Sequence, residues 1–263
     1  MRFALQAMAL RAPGLNGWSA GRACLTGELP WDPTPQQIPR TELLRPNERR
    51  RVTRAIRLVL ALAEEATADL TADERAALPV VFASAVGDSD IVDGICSSLA
   101  SPGRPISPTQ FHNSVHNAPA GYWAIATGNR RASTSVAAGE WTAGCGLQEA
   151  LSQLVSSRMP VLAVIYDVQP PAPLRPYAGV EHGFGMAYRL APVDDSGPAI
   201  CTVEARCSEE VETRLPQPWE TLRRSSPAAG HLGLAHGVAT RSETAVLPLD
   251  RYRNMALRFH YDR

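Results

Sequence analysis

Two short apolar runs constrain the fold of this chain more than any other feature. Pro79-Val80-Val81-Phe82-Ala83-Ser84 and Val161-Leu162-Ala163-Val164-Ile165-Tyr166 carry almost no polar side chain between them. A strand with one wet face alternates, so an unbroken apolar run predicts a strand covered on both faces, as in a parallel sheet between helices. Helical patterns separate these runs. Val52, Ile56, Val59, Leu60 and Ala63 recur at helical spacing and make one apolar stripe, and Leu147, Ala150, Leu151, Leu154 and Val155 do the same within a predicted helix from Thr142 to Ser157. Strands alternating with helices predict an α/β fold with a mixed, largely parallel sheet.

The remaining elements follow from pattern and punctuation. Phe3 to Ala12 reads as a strand closed by Gly14, Asn16 and Gly17, and residues 26 to 46 hold five prolines and read as a loop. A helix is expected near Ile91 to Leu99, and a helical stretch from Gln110 to Thr127 interrupted by Pro119. Ser133 to Ala138 is small and β-branched, a strand pattern. Further strands are expected over 185–191, 199–205 and 254–260, with a short helix at Trp219 to Arg224. The stretch from 207 to 242 carries no clear period, and no internal repeat is visible.

Composition removes whole classes of function. Among 263 residues the 26 basic side chains are all Arg, so no lysine is available for a Schiff base, a pyridoxal phosphate linkage or a GxxxxGK[ST] phosphate loop. Arg still binds anions well. Acids also number 26, and a chain of zero formal charge lacks the basic footprint of a nucleic-acid binder. Five cysteines without CxxC spacing fit neither a disulfide scaffold nor a thiolate zinc site. With no signal-like or membrane-spanning run, a soluble, cytoplasmic protein is expected.

Few residues suggest chemistry directly. His112 and His116 have the spacing of two metal ligands on one helix, but Asn113 stands where a zincin has Glu and no third ligand is evident, so no metal is expected. His182-Gly183-Phe184-Gly185 reads as a turn entering a strand rather than a nucleotide loop. Arg50, Arg54 and Arg57, on one face of a helix, could receive an acidic carrier protein or its pantetheine phosphate, or could be an ordinary solvated face. Cys145, between Gly144 and Gly146 where a strand gives way to a helix, would be activated by a helix amino terminus or else be a small buried apolar residue.

At this point the sequence resembles a family. Ile106-Ser107-Pro108-Thr109-Gln110-Phe111-His112-Asn113-Ser114-Val115-His116-Asn117-Ala118-Pro119-Ala120-Gly121, Ser133-Thr134-Ser135-Val136-Ala137-Ala138 and Gly146-Leu147-Gln148-Glu149-Ala150 are similar to the N-terminal half of a β-ketoacyl synthase. More narrowly, with Leu43 to Arg51 and Val81 to Ser84, they resemble the short synthase-like proteins of bacterial aryl polyene and xanthomonadin pigment gene clusters. The resemblance covers residues 1–195, leaving 196–263 as a short C-terminal extension that completes the α/β unit without a full second half. It implies the thiolase-like fold, with Ser133 to Ala138 as the strand at a dimer edge.

The departures from that family carry the functional expectation. Anchoring the synthase motif on Gly146-Leu147-Gln148 puts Ala143 where the nucleophilic Cys belongs, and the family's active-site Lys has no counterpart in a lysine-free chain. The resemblance therefore implies a chain-length-factor-like subunit. It would form a heterodimer with an active β-ketoacyl-acyl-carrier-protein synthase, meet an acyl carrier protein, use no cofactor, and act in polyketide or fatty-acid-like biosynthesis. Phe111, Asn117, Tyr122, Trp123 and Trp141 are the expected tunnel or interface residues. The alternatives are an acyl-transferring or priming enzyme using Cys145 with His116, and a carrier-protein-binding module.

Overall fold

The first apolar run becomes β3 of a computed structural model that describes residues 1–103, 105–195 and 197–261. In chain order the strands are β1 (Arg2–Ala12), β2 (Leu15–Asn16), β3 (Val80–Ala83), β4 (Ser133–Val136), β5 (Val161–Asp167), β6 (Phe184–Ala191), β7 (Cys201–Ser208), β8 (Thr244–Pro248) and β9 (Asn254–His260). The helices are α1 (Trp18–Leu25), α2 (Pro46–Arg49), α3 (Arg54–Ala66), α4 (Ala72–Ala76), α5 (Ser89–Ala100), α6 (Pro108–Asn113), α7 (Ala118–Thr127), α8 (Thr142–Ser157), α9 (Arg175–Ala178), α10 (Trp219–Arg223) and α11 (Leu232–Ala239). Two 3-10 turns, Gly139–Trp141 and Ala228–His231, precede α8 and α11.

The strands form one mixed sheet in the order β4-β3-β5-β6-β1-β7-β9-β8, with β2 folded back on β1. Val80–Ala83 pairs in parallel register with Ser133–Val136 on one side and Leu162–Ile165 on the other. Because β6 is antiparallel to both β5 and β1, the strands β1, β3, β4 and β5 all run the same way. The expected largely parallel sheet is thus realised in residues 1–191, whereas β7, β9 and β8 add an antiparallel extension.

Alternation along the central strand separates two cores. Val161, Ala163 and Ile165 face a layer containing α8, α11 and the Ala228–His231 turn, while Leu162, Val164 and Tyr166 face α3 and α7. Both faces of β5 are fully buried, as the apolar run requires. Helix α3 starts after Thr53, whose hydroxyl accepts a hydrogen bond from the Ile56 amide, and it buries Ile56, Leu58, Val59, Leu60 and Leu62. Each such side chain contributes about 1.5–3 kcal/mol of burial. Gly185 on β6 lets this helix approach, since a methyl there would stand 2.5 Å from Leu62 Cδ1.

Three sequence expectations change. By their spacing Arg50, Arg54 and Arg57 share one face of a single helix, but the chain breaks into α2 and α3, and Arg50 caps the end of α2. The helical stretch from 110 to 127 is likewise two helices, because Pro119 sits in the first turn of α7 rather than inside a longer helix. His112 therefore lies on α6 and His116 in the connection beyond it. Finally, α11 and β8 emerge from or beside the stretch that carried no legible period.

Candidate functional site

The site is built where β3, β4 and β5 end and α8 begins. After β4 the chain turns through Gly139–Trp141, and Thr142 Oγ1 closes the turn by accepting from the Ala138 amide at 2.9 Å and donating to the Gly139 carbonyl at 2.7 Å. Ala143, the next residue, is 2% exposed and belongs to the main core. The two glycines around Cys145 have packing reasons to be there. A methyl on Gly144 would stand 2.6 Å from the Pro248 carbonyl oxygen, and one on Gly146 would stand 2.7 Å from Ala83 Cβ. The loop after β8 therefore lies directly on the first turn of α8, and the next turn presses on the sheet.

Cys145 sits half-buried between these contacts. Burial pushes its thiol up, and the charge of Asp250 pushes it further in the same direction. Desolvation and a neighbouring carboxylate thus both disfavour the activated thiolate that its position suggested. Nor does a base stand by: among the described residues no hydrogen bond links Cys145 to His112 or His116. His116 Nε2 instead lies 3.1 Å from the Ser84 carbonyl oxygen. Among the described residues no cluster of three or more His, Cys, Asp or Glu side chains could hold a metal ion.

Two buried titratable groups escaped the sequence reading. Asp167, at the end of β5, accepts hydrogen bonds through Oδ1 from the Ser84 hydroxyl at 2.8 Å and the Ala85 amide at 2.9 Å, and through Oδ2 from the Ala228 amide at 3.1 Å. Burial pushes its carboxyl up to about 6 against those bonds. It ties the turn after β3 to β5 and to the turn before α11, so its role in the site is to hold three segments together. The polar residue ending an apolar run was the available signal. His231 is fully buried with Tyr188 Oη 3.4 Å from its Nδ1, and burial lowers it to about 3, so it is neutral.

The aromatic residues divide sharply. Tyr122 and Trp123, expected as tunnel walls, are in the core between α7 and α3, with Trp123 only 1% exposed. Phe111 on α6 is 68% exposed. Asn117, just before α7, is exposed, and Trp141 is half-buried at the entry to α8. Phe111 does not stand alone: Val115, Ile125 on α7 and Val155 on α8 are also exposed. Helices α7 and α8 flank β4, the outermost strand of the sheet, whose residues are exposed or half-buried.

The arginines form a second surface. Arg54 at the start of α3 pairs with Asp90 at 3.2 Å and donates to the Gln169 carbonyl. Arg57 is exposed and borders two clefts: one of about 600 Å3 shared with Arg54, Gln110 and Arg175, and one of about 480 Å3 shared with Arg40, Arg49 and Arg50. Arg50 thus joins Arg57 across a cleft rather than along one helix. Arg175 opens α9 in the connection after β5, which the local spacing of 50, 54 and 57 could not reveal.

Residues 23–248 match the family described as β-ketoacyl synthase, N-terminal domain. No curated protein matches the chain. Among solved structures, a chain of a ketosynthase in complex with its chain length factor from Xenorhabdus doucetiae is similar with a TM-score of 0.74 and 21% identity, over 98% of this chain and 99% of that one. A chain of the ishigamide ketosynthase/chain length factor gives 0.73 and 14%, over 100% of both. A β-ketoacyl synthase from Burkholderia phymatum gives 0.61 and 10%, over 92% of this chain but 71% of that one. No helix among the described residues is long and apolar enough to cross a membrane. The match over most of the chain's length and the layered α/β architecture agree: the chain belongs to the β-ketoacyl synthase N-terminal domain family.

Proposed function

We propose that the chain is a non-catalytic, chain-length-factor-like subunit that pairs with an active β-ketoacyl-acyl-carrier-protein synthase and bounds the tunnel in which the acyl chain grows. The observation that carries this reading is the closed amino end of α8. Where a condensing enzyme needs an exposed nucleophile, Ala143 is buried, the backbone of Pro248 and Leu249 covers Gly144, and burial and Asp250 push the Cys145 thiol up. A lysine-free chain also lacks an ammonium to assist decarboxylation. The same features weigh against Cys145 and His116 as an acyl-transfer pair.

The partner would add to β4. This edge strand offers main-chain hydrogen-bonding groups, and the helices flanking it, α7 and α8, carry the exposed Ile125 and Val155 as apolar area. End-to-end similarity to chains of ketosynthase/chain length factor complexes, against 71% coverage of a longer synthase, supports a subunit of this size in that role. Steric limits then set product length through side-chain volume at the shared interface, with Phe111, Asn117 and Trp141 as the residues placed to contribute. The clefts around Arg57, with Arg50 and Arg54, are the proposed contact for an acidic acyl carrier protein. An aryl polyene product is the finer form of this reading.

Co-expression with the ketosynthase from the same gene neighbourhood tests it. A stable heterodimer, with product formation unchanged by Cys145→Ala, is expected. Loss of turnover and of acyl labelling in Cys145→Ala would establish an enzyme instead, and a chain that stays apart from the synthase would overturn the subunit reading.

A further inference from the structure

A further cavity lies away from the β4 edge and shares only Arg54 and Gln169 with the larger cleft of the proposed carrier contact. It has a volume of about 320 Å3, at the small end of the range for metabolite pockets, and it lies between the proline-rich loop of residues 30–39 and the turn that enters β6. Trp31, Pro33, Pro35 and Ile38 supply apolar walls. These walls are fixed. The Trp31 indole donates through Nε1 to the Pro13 carbonyl at 2.9 Å and packs against Trp219 with ring centroids 5.3 Å apart. Rigid aromatic and prolyl surfaces favour a ring over a flexible chain, because little ordering entropy is lost on binding.

Arg54 supplies a fixed positive charge to the wall, beside Gln36, Gln169, Thr221 and His182, and no Asp or Glu lines it. Asp90 and the Gln169 carbonyl both engage Nη2 of Arg54, and its Nε is buried without an acceptor. Gln36, held by donating through Nε2 to the Arg11 carbonyl at 2.7 Å, keeps its amide oxygen at the floor beside Gly183. We infer that this cavity binds a small aromatic carboxylate, its ring against Trp31 and the prolines and its carboxylate on the Arg54 side.

Calorimetric titration of the full chain with benzoate, benzamide and cyclohexanecarboxylate tests the inference without a synthase partner. Benzoate is expected to bind at least tenfold tighter than benzamide, which lacks the charge, and than cyclohexanecarboxylate, which lacks the flat ring. Gly183→Ala should weaken benzoate at least fivefold, because its methyl would stand 2.6 Å from Gln36 Oε1 and must displace that amide. Arg54→Gln should weaken it at least tenfold. Gly183→Ala keeps the test sound if Arg54→Gln unfolds, since only the end of a flexible side chain has to move. Equal affinities for the three compounds, no benzoate binding, or unchanged benzoate affinity in a folded Gly183→Ala variant would overturn the inference.

Discussion

The two edges of the sheet are managed in opposite ways. At β8 the outer side of the strand is covered: the Thr213 amide donates to the Val246 carbonyl at 3.0 Å, and the Val246 amide donates to Thr213 Oγ1 at 2.8 Å. That single residue satisfies both groups of Val246 and blunts the edge against pairing. At β4 no strand or loop of the described chain takes the equivalent place, and exposed apolar side chains stand beside it on α7 and α8. One edge is blocked and the other is left open beside apolar surface, which is where the proposed partner would add a strand.

The sharpest way to break this comparison is to ask which aromatic residues near β4 belong to the fold and which to the surface. Trp123→Ala removes a fully buried indole, so a loss of about 3–5 kcal/mol in unfolding free energy is expected by denaturant titration. Phe111→Ala should change stability by no more than about 0.5 kcal/mol while weakening association with the synthase. If the two variants lost equal stability, the division between core and interface drawn around this edge would be wrong.

Charge placed on the open edge comes next. In the double variant Ile125→Glu with Val155→Glu, both side chains begin exposed, so the isolated chain should fold as before. Burying unpaired carboxylates under a partner costs about 2–5 kcal/mol, which is roughly a thirtyfold or greater loss of affinity in a binding titration with the synthase. Unchanged affinity would move the interface elsewhere. The closed edge should respond in the complementary sense: Thr213→Val leaves the Val246 amide without its acceptor and should cost about 1–3 kcal/mol of stability, with no effect on partner affinity.

Most strands were legible in the sequence, whereas α11 and β8 were not, for identifiable reasons. β5 and β9 emerge close to or at their expected limits because an unbroken apolar or alternating run leaves one periodicity to choose. Helix α11, Leu-Gly-Leu-Ala-His-Gly-Val-Ala, is packed so closely that small residues fill it, and small residues carry little amphipathic signal. At the site, spacing misled where a side-chain hydrogen bond marks a helix boundary. The Thr53 side chain starts α3, which separates Arg50 from Arg54 and Arg57, and buried Asn113 donates through Nδ2 to the Arg51 carbonyl just where α6 ends, separating His112 from His116. The environment of Cys145 could not be read at all, because Leu249 and Asp250 arrive from near the far end of the chain.

The smallest expected effect distinguishes two buried groups by their response to acid. His231 has its pKa lowered to about 3 by burial, so the unfolded chain, with an ordinary imidazole near 6.5, binds the proton first. The stability held by His231 is complete above about 6.5 and is lost as pH falls. Asp167 works in the other direction: its folded value near 6 lies above the ordinary carboxylate value, so its contribution is complete below about 4 and is lost as pH rises to 6. Between pH 6 and 4 the two slopes oppose each other. Asp167→Asn removes one of them, and its unfolding free energy should fall more steeply than the native chain's over that range, by about 1 kcal/mol per pH unit. Denaturant midpoints at pH 4, 5 and 6 measure the difference. Parallel profiles for the two proteins would mean that Asp167 is already ionised across this range, its four hydrogen bonds from Ser84, Ala85, Val86 and Ala228 having outweighed its burial.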